Sequence, residues 1–414
     1  MNYEIINEKN YDIYLLKTDK FKTINISTII INNYKKEDIT KERFLSEYLL
    51  LTNNKYSNEI SLNKEILELY SPTIGIHDTF SNNHLKSIDI TFLNEKFTEK
   101  GMNKKSLEFC FDFVFNPNVY NDMFSENYFN ITKNIIKNRL LRAKEDSQSI
   151  AFFNSFNNFT EDTPIKNDVR GNLNDLEKIN NKELYNYYIN RLSTGKYVIF
   201  VVGEYDEKLV LDLKEILEKN INFKKEYELI NNFPITKINE PKEIIDETSF
   251  KQSILYLIYK TYNLSDYERE YVLPIFSNLL SDRLFNNVRE KESLAYYATS
   301  DFLPTYNSLY MYAGISRENY SKCKDLMIKE LNDIKNKEIT DIEFDKAKES
   351  IISRMYSSKD VIGGISSYLI RLVLFNKKTQ DEIIENTKKV TKEEVKEIVD
   401  KLYLDVSYLL GGIK

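Results

Sequence analysis

The two halves of this 414-residue chain end alike. Ile179-Asn180-Asn181-Lys182-Glu183-Leu184 aligns with Val390-Thr391-Lys392-Glu393-Glu394-Val395, and each run leads through a helical stretch to an apolar strand closed by glycine, Gly203 or Gly412. In both, a residue able to cap a helix stands three positions before a glutamate, the arrangement by which N-cap and N3 side chains satisfy orphan amides. Thr340-Asp341-Ile342-Glu343 opens another helix the same way. A single such box is commonplace. Its return at the same place in both halves supports duplication of one α+β unit. The chain is also too long for one ordinary core, so two domains of roughly 200 residues each are expected.

Periodicity fills in the units. Residues 3–34 read as two strands, followed by a helix opening near Thr40 and running through Leu51, and another over 62–70. Strands near 72–79 and 85–93 come next, joined through Ser81-Asn82-Asn83. Helices over 98–114, 124–145 and 147–157 precede a loop at 158–172. Helix 182–192, strand 196–202 and helix 206–218 close a first domain, residues 1–220. Residues 221–247, with Pro234 and Pro241 among polar neighbours, read as a linker with a short strand of its own. The second domain, 248–414, repeats the order: strand 251–260, helices 265–286, strands 294–302 and 307–315, helices 318–336, 341–357, 379–386 and 392–402, and strand 405–411. Gly363-Gly364 reads as a break between helices. The fold class is α+β: two homologous domains, each a mostly antiparallel sheet packed with helices.

The totals exclude several functions. A net charge of −6, with lysines interleaved among acids, argues against nucleic acid as a partner. Apolar runs such as Tyr197-Val198-Ile199-Phe200-Val201-Val202 are strand-length, so no membrane span is expected. The N-terminus lacks a basic region followed by an apolar stretch, and Cys110 and Cys323 read as buried free thiols; both point to the cytoplasm. No G-x-S-x-G elbow, phosphate loop or dinucleotide fingerprint appears.

One stretch carries chemistry. Leu279, Leu280, Leu284 and Phe285 recur at helical spacing, and Tyr296-Tyr297-Ala298-Thr299-Ser300 then turns extended, which holds Arg289 and Tyr296 near the mouth of a sheet. An Arg fork and a Tyr hydroxyl can both hydrogen-bond the carbonyls of an extended peptide. From these residues alone a structural Arg–Glu pair and a packed Tyr is the better reading.

Taken with the surrounding pattern, the chain resembles the pitrilysin/insulinase (inverzincin) family of peptidases in its half-length bacterial form. The resemblance rests on Leu284 through Tyr296, on Ile339 through Lys348, and on the segment from Gly171 to Gly203. It implies two homologous α+β domains per half, two halves closing around a chamber, and a substrate-binding role for Arg289 and Tyr296. Ser293 stands where the family usually has glycine. Active members carry H-x-x-E-H on the first helix, because two His one turn apart hold zinc while the Glu takes a proton from zinc-bound water. Here the matching residues are Phe44-Leu45-Ser46-Glu47-Tyr48. Phe44 and Tyr48 replace both ligands, and the region of the third ligand, around Arg139-Leu140, offers none. His77 and His84 flank a hairpin with Asp78 nearby, an arrangement more often structural than metal-binding.

The resemblance therefore implies no catalytic residue, no metal and no cofactor in this chain. It implies a non-catalytic subunit of a heterodimeric zinc metallopeptidase that contributes peptide binding to a zinc-bearing homologous partner with an H-x-x-E-H motif. Two bacterial settings fit: a paired-gene arrangement tied to modification of a translation factor, and maturation of ribosomally made peptides. The alternative is a peptide-binding or scaffold protein of the same fold, as in the core subunits of a respiratory complex.

Overall fold

A computed structural model describes residues 2–56, 58–222, 226–229 and 232–412. Residues 223–225 and 230–231 of the expected linker lie outside the described residues. Two compact units divide the chain: Met1–Leu141, Val169–Leu229 and Lys359–Lys377 form one, and Arg142–Asp168, Ile230–Ser358 and Lys378–Lys414 the other.

The first unit contains strands β1 (Glu4–Asn7), β2 (Tyr11–Lys17), β3 (Thr23–Asn33), β4 (Thr73–Phe80) and β5 (Asn83–Leu93). A two-stranded ribbon of β6 (Val119–Tyr120) and β7 (Met123–Phe124) precedes β8 (Lys196–Gly203). Its helices are α1 (Ile39–Leu49), α2 (Glu59–Glu68), α3 (Met102–Phe115) and α4 (Glu126–Ala143). After α5 (Ser147–Asn157), which packs elsewhere, come α6 (Leu173–Lys178), α7 (Asn181–Thr194) and α8 (Glu207–Asn220). The sheet order is β1-β2-β8-β3-β5-β4. Strand β8 is apolar almost throughout and pairs parallel to β2 and antiparallel to β3, so both its faces are buried.

The second unit has strands β9 (Lys242–Glu247), β10 (Ser253–Thr261), β11 (Ala295–Leu303), β12 (Ser308–Ile315) and β13 (Leu402–Gly411). Its helices are α9 (Leu273–Arg283), α10 (Tyr320–Asn336) and α11 (Asp341–Ser358), then, beyond α12 (Ile362–Leu374), α13 (Gln380–Lys389) and α14 (Lys392–Glu397). Its order, β11-β12-β10-β13-β9, repeats β4-β5-β3-β8-β2 strand for strand. The single parallel pair recurs as well, β9 with β13 matching β2 with β8. The duplication read from the two capping runs is thus a duplication of topology. Asn180 accepts from the Glu183 amide at 3.2 Å, and Thr391 and Glu394 form a reciprocal box.

Each sheet is covered on both faces over its central strands, and the second cover comes from the other half of the sequence. In the first unit, Ile365 and Leu369 of α12 lie on Ile29, Ile31, Val198 and Phe200. In the second, Ala151 and Phe156 of α5 lie on Ile254, Ile258 and Tyr408. The segment carrying α5 is further held by a buried ion pair, Glu161 Oε1 to Lys260 Nζ at 2.7 Å, and Asp405 accepts from the Thr160 amide at 2.9 Å. The contiguous ranges 1–220 and 248–414 read from sequence do not contain this exchange. Gly363-Gly364 is not a break: it lies in the first turn of α12, where amides lack intrahelical partners in any case. The exchange could not be read from sequence because the pattern of α5 does not say which sheet it covers, and the sequence reading placed no helix over Ile362–Leu374.

Three smaller differences concern boundaries. The first 34 residues hold three strands, since β1 pairs antiparallel with β2. Three elements went unread, the β6/β7 ribbon, α6 and the longer helix α12. The helix expected to end near residue 286 continues as a π-helical run, Leu284–Lys291.

Candidate functional site

Helix α1 follows the third sheet strand of its unit, β3, and presents three faces. Phe44 and Tyr48, one turn apart, point inward and are fully buried. The Phe44 ring packs 4.8 Å from that of Phe129 on α4, and the Tyr48 ring 4.4 Å from Phe124 on β7. Tyr48 Oη donates to the Asn118 carbonyl at 2.6 Å and accepts from the Ser125 amide at 2.9 Å, and burial pushes its phenol well above the usual range. The two positions that hold zinc in active relatives are therefore aromatic anchors tying α1 to the ribbon and to α4.

Glu47 occupies a second face. Its Oε2 lies 2.8 Å from Nη2 of Arg139, which is 65% exposed. A guanidinium thus sits where the resemblance places the third ligand. These residues do not fit zinc: phenylalanine has no lone pair to give, the Tyr48 oxygen is engaged twice, and a fixed cation repels a second one.

The third face of α1 enters a buried ionic cluster that sequence reasoning only half found. Glu42 Oε1 accepts from Arg191 Nε of α7 and from the Tyr187 hydroxyl, each at 2.6 Å. Asp78 Oδ1 accepts from Lys86 Nζ at 2.7 Å and lies 2.8 Å from His84 Nε2, while Ser46 Oγ donates to Asp78 Oδ2 at 2.6 Å. Arg191 Nη2 donates to His84 Nδ1 at 2.8 Å, which places the ring proton facing Asp78 on Nε2. Against the opposing effect of burial, the Lys86 and Arg191 charges hold the Glu42 carboxyl below the usual range, and the Lys86 charge with the His84 hydrogen bond does the same for Asp78. Glu42, Asp78 and His84 could between them offer ligand atoms to a cation. Lys86 and Arg191 already supply that charge, so the donor set does not fit a metal. His77, the other expected histidine, points to the opposite face of β4 and is exposed. The available signal was the alternation in β5, which puts His84 and Lys86, both polar, on the helix-facing side of the sheet.

The equivalent helix of the second unit, α9, ends differently. It runs into the π-helical segment Leu284–Lys291, tied down by Asn287 Nδ2 donating to Glu330 Oε2 at 2.7 Å. Irregular helical turns of this kind recur at functional sites. Arg289 on this segment is 43% exposed, stacks over Phe285 at 4.8 Å, and lies 3.5 Å from Glu290 Oε1. Ser293 then takes φ +51°, a left-handed conformation, which accounts for the glycine that the family usually has there. Tyr296 follows at an irregularity in the β11–β12 register, between the pairs Ala295–Ile315 and Tyr297–Gly314, and is 65% exposed. Both readings of Arg289 have a trace: the Arg–Glu contact exists, but Tyr296 is not packed.

Cys110 and Cys323 are free, buried, and pushed up to about 12 by burial, which leaves them unreactive as nucleophiles. No helix among the described residues is long and apolar enough to cross a membrane.

Residues 178–351, which include Arg289 and Tyr296, match the family model described as the peptidase M16 inactive domain. The probable inactive metalloprotease YmfF of Bacillus subtilis (strain 168) is 26% identical over 411 residues, covering 96% of this chain and 95% of that protein. By these matches the chain is similar to M16 peptidases of the inactive kind. Its full length follows that fold. A conserved protein from Enterococcus faecalis V583 matches with a TM-score of 0.89 at 25% identity, over 100% of this chain and 99% of that one. The peptidase M16 inactive domain from Pseudomonas fluorescens matches with a TM-score of 0.80 at 15% identity, again over 100% and 99%. The pitrilysin/insulinase reading of the sequence and its α+β fold are both borne out by these matches.

Proposed function

We propose that this M16 homologue is the non-catalytic subunit of a cytoplasmic two-subunit peptidase, holding an extended peptide for a homologous partner that carries zinc on an H-x-x-E-H helix. The observation that carries the reading is the fate of two equivalent helices. On α1 the side chains at the metal positions are consumed by packing and hydrogen bonds. At the end of α9, Arg289 and Tyr296 remain exposed. Their donors are then available for the carbonyls of a peptide, which would position a scissile bond at low entropic cost.

The test is reconstitution. Purified alone, the chain should hold no stoichiometric zinc and cleave nothing. Mixed with the zinc-bearing homologue from the same cell, it should form a 1:1 complex that cleaves a peptide neither subunit cleaves alone. Arg289→Ala should lower turnover of the mixture while the complex still forms. Full cleavage by that variant removes the gripping role, and failure of any zinc-bearing homologue to associate leaves the scaffold reading.

A further inference from the structure

Phe285 is the one apolar side chain of the π-helical run Leu284–Lys291 that does not enter the core. Leu284 and Val288 are fully buried in the core of the second unit, whereas Phe285 is 42% exposed. Exposure alone says little of a phenylalanine. Its contact says more: the guanidinium carbon of Arg289 lies 4.8 Å from the ring centroid. Other bonds fix where that ring stands. Glu330 of α10, itself buried, accepts from Asn287 Nδ2 at 2.7 Å. Asn287 Oδ1 accepts from Lys291 Nζ at 2.9 Å, and the Asn287 carbonyl accepts from the Glu292 amide at 3.2 Å.

Arg289 is held unlike the arginines whose role is to tie elements together. Arg283 Nε and Nη2 donate to the two oxygens of Glu343 at 3.1 and 3.4 Å, and Arg191 Nε donates to Glu42 Oε1 at 2.6 Å. Those guanidiniums commit their N–H edge to the protein. Arg289 has one carboxylate contact, Glu290 Oε1 at 3.5 Å from Nε, and among the described residues its Nη1 and Nη2 donate no hydrogen bond. A ring takes a guanidinium by its flat face, where there is no N–H, and leaves the in-plane fork free. It also restricts beforehand the rotamer freedom that a long exposed side chain loses on meeting a ligand.

We propose that Phe285 is a positioning residue that holds Arg289 by its face, so that both terminal nitrogens are presented to the carbonyls of a bound peptide. This rests on the reading of Arg289 as a peptide-gripping residue and adds what aims it. Two measurements test it. In heteronuclear NMR of the whole chain, the Arg289 Nε–Hε signal, assigned by its loss in Arg289→Lys, should be displaced by the ring current. Phe285→Tyr should keep the displacement and Phe285→Leu should abolish it. An undisplaced signal in the native chain overturns the stack. In the reconstituted pair, Phe285→Leu should lower kcat/KM about threefold, the weight of one exposed cation–π contact, and Phe285→Tyr should keep the native value. In an Arg289→Ala background, Phe285→Leu should add no further loss. An added loss there shows that the ring acts by itself and overturns the role. Cleavage that falls with Arg289→Ala but is indifferent to Phe285→Leu overturns the Phe285 role alone, whereas cleavage untouched by Arg289→Ala removes the gripping reading along with it.

Discussion

The same position in two copies of one topology has met opposite fates. In each unit a helix leaves the central strand, β3 or β10, and returns the chain to the edge strand, β4 or β11. In the first unit that helix is sealed: Phe44 and Tyr48 are core, Glu47 is paired with Arg139, and Glu42 is neutralised by Arg191. In the second it unwinds into a π-helical segment, and a residue in a left-handed conformation then turns the chain into β11, leaving Arg289 and Tyr296 exposed. When a metal's ligands are replaced, the helix that carried them still has to be anchored. Aromatic packing on one face and ion pairing on another can do so. A binding surface has no such substitute, because its groups must stay unsatisfied by the protein itself to serve a ligand.

The contrast can be broken most severely at α1. Restoring the histidines, Phe44→His with Tyr48→His, should cost about 3–5 kcal/mol in a denaturant titration, because two buried rings lose their packing and new polar atoms are buried. Metal analysis of the refolded variant should still find no stoichiometric zinc while Arg139 remains. Tight zinc in that protein would show the site is merely unliganded, not rebuilt.

Next in size is the ionic cluster. Removing one member, Asp78→Asn, should destabilise by roughly 3 kcal/mol, since Lys86 is then left short of a counter-charge inside the protein. The pH dependence has a definite sign. Carboxyls held below their unfolded values add stability that is complete above the ordinary carboxylate range and is lost as pH falls through their lowered values. Stability of the native sequence should therefore drop steeply below about pH 4, and Asp78→Asn should flatten that drop. An unchanged slope would place the acid sensitivity elsewhere.

The second unit should respond far less. Ser293→Gly relieves a left-handed serine and should stabilise by about 1 kcal/mol in the same titration. A loss of stability would mean that the serine hydroxyl does something its conformation does not reveal. Smallest of all, Arg289→Ala and Tyr296→Ala should each change stability by no more than about 0.5 kcal/mol, as exposed side chains do. A large effect would make them structural and would erase the contrast between the units.

Much of this was legible without coordinates. Capping runs announced the duplication, alternation placed most strands, and Phe44, at one of the two histidine positions of H-x-x-E-H, has no atom that could hold zinc whatever its surroundings. Arg289 and Tyr296 could be named because they sit in a recognisable stretch. The Glu42–Asp78–His84–Lys86–Arg191 cluster was not legible as a whole, since its members come from α1, two strands and α7, and charge in a sequence does not say which face is buried. His77, His84 and Asp78 could be seen to lie about one hairpin, but not that His84 alone of the two histidines turns inward to Asp78.

Local pattern indicated most of the secondary structure, because hydrogen-bonding period is a property of short runs, though it missed α12. Tertiary packing alone decided that α5 and α12 each cover the sheet of the other half and that a guanidinium faces Glu47. Those are contacts between residues far apart in the chain, set by which apolar faces meet, and no local signal encodes them.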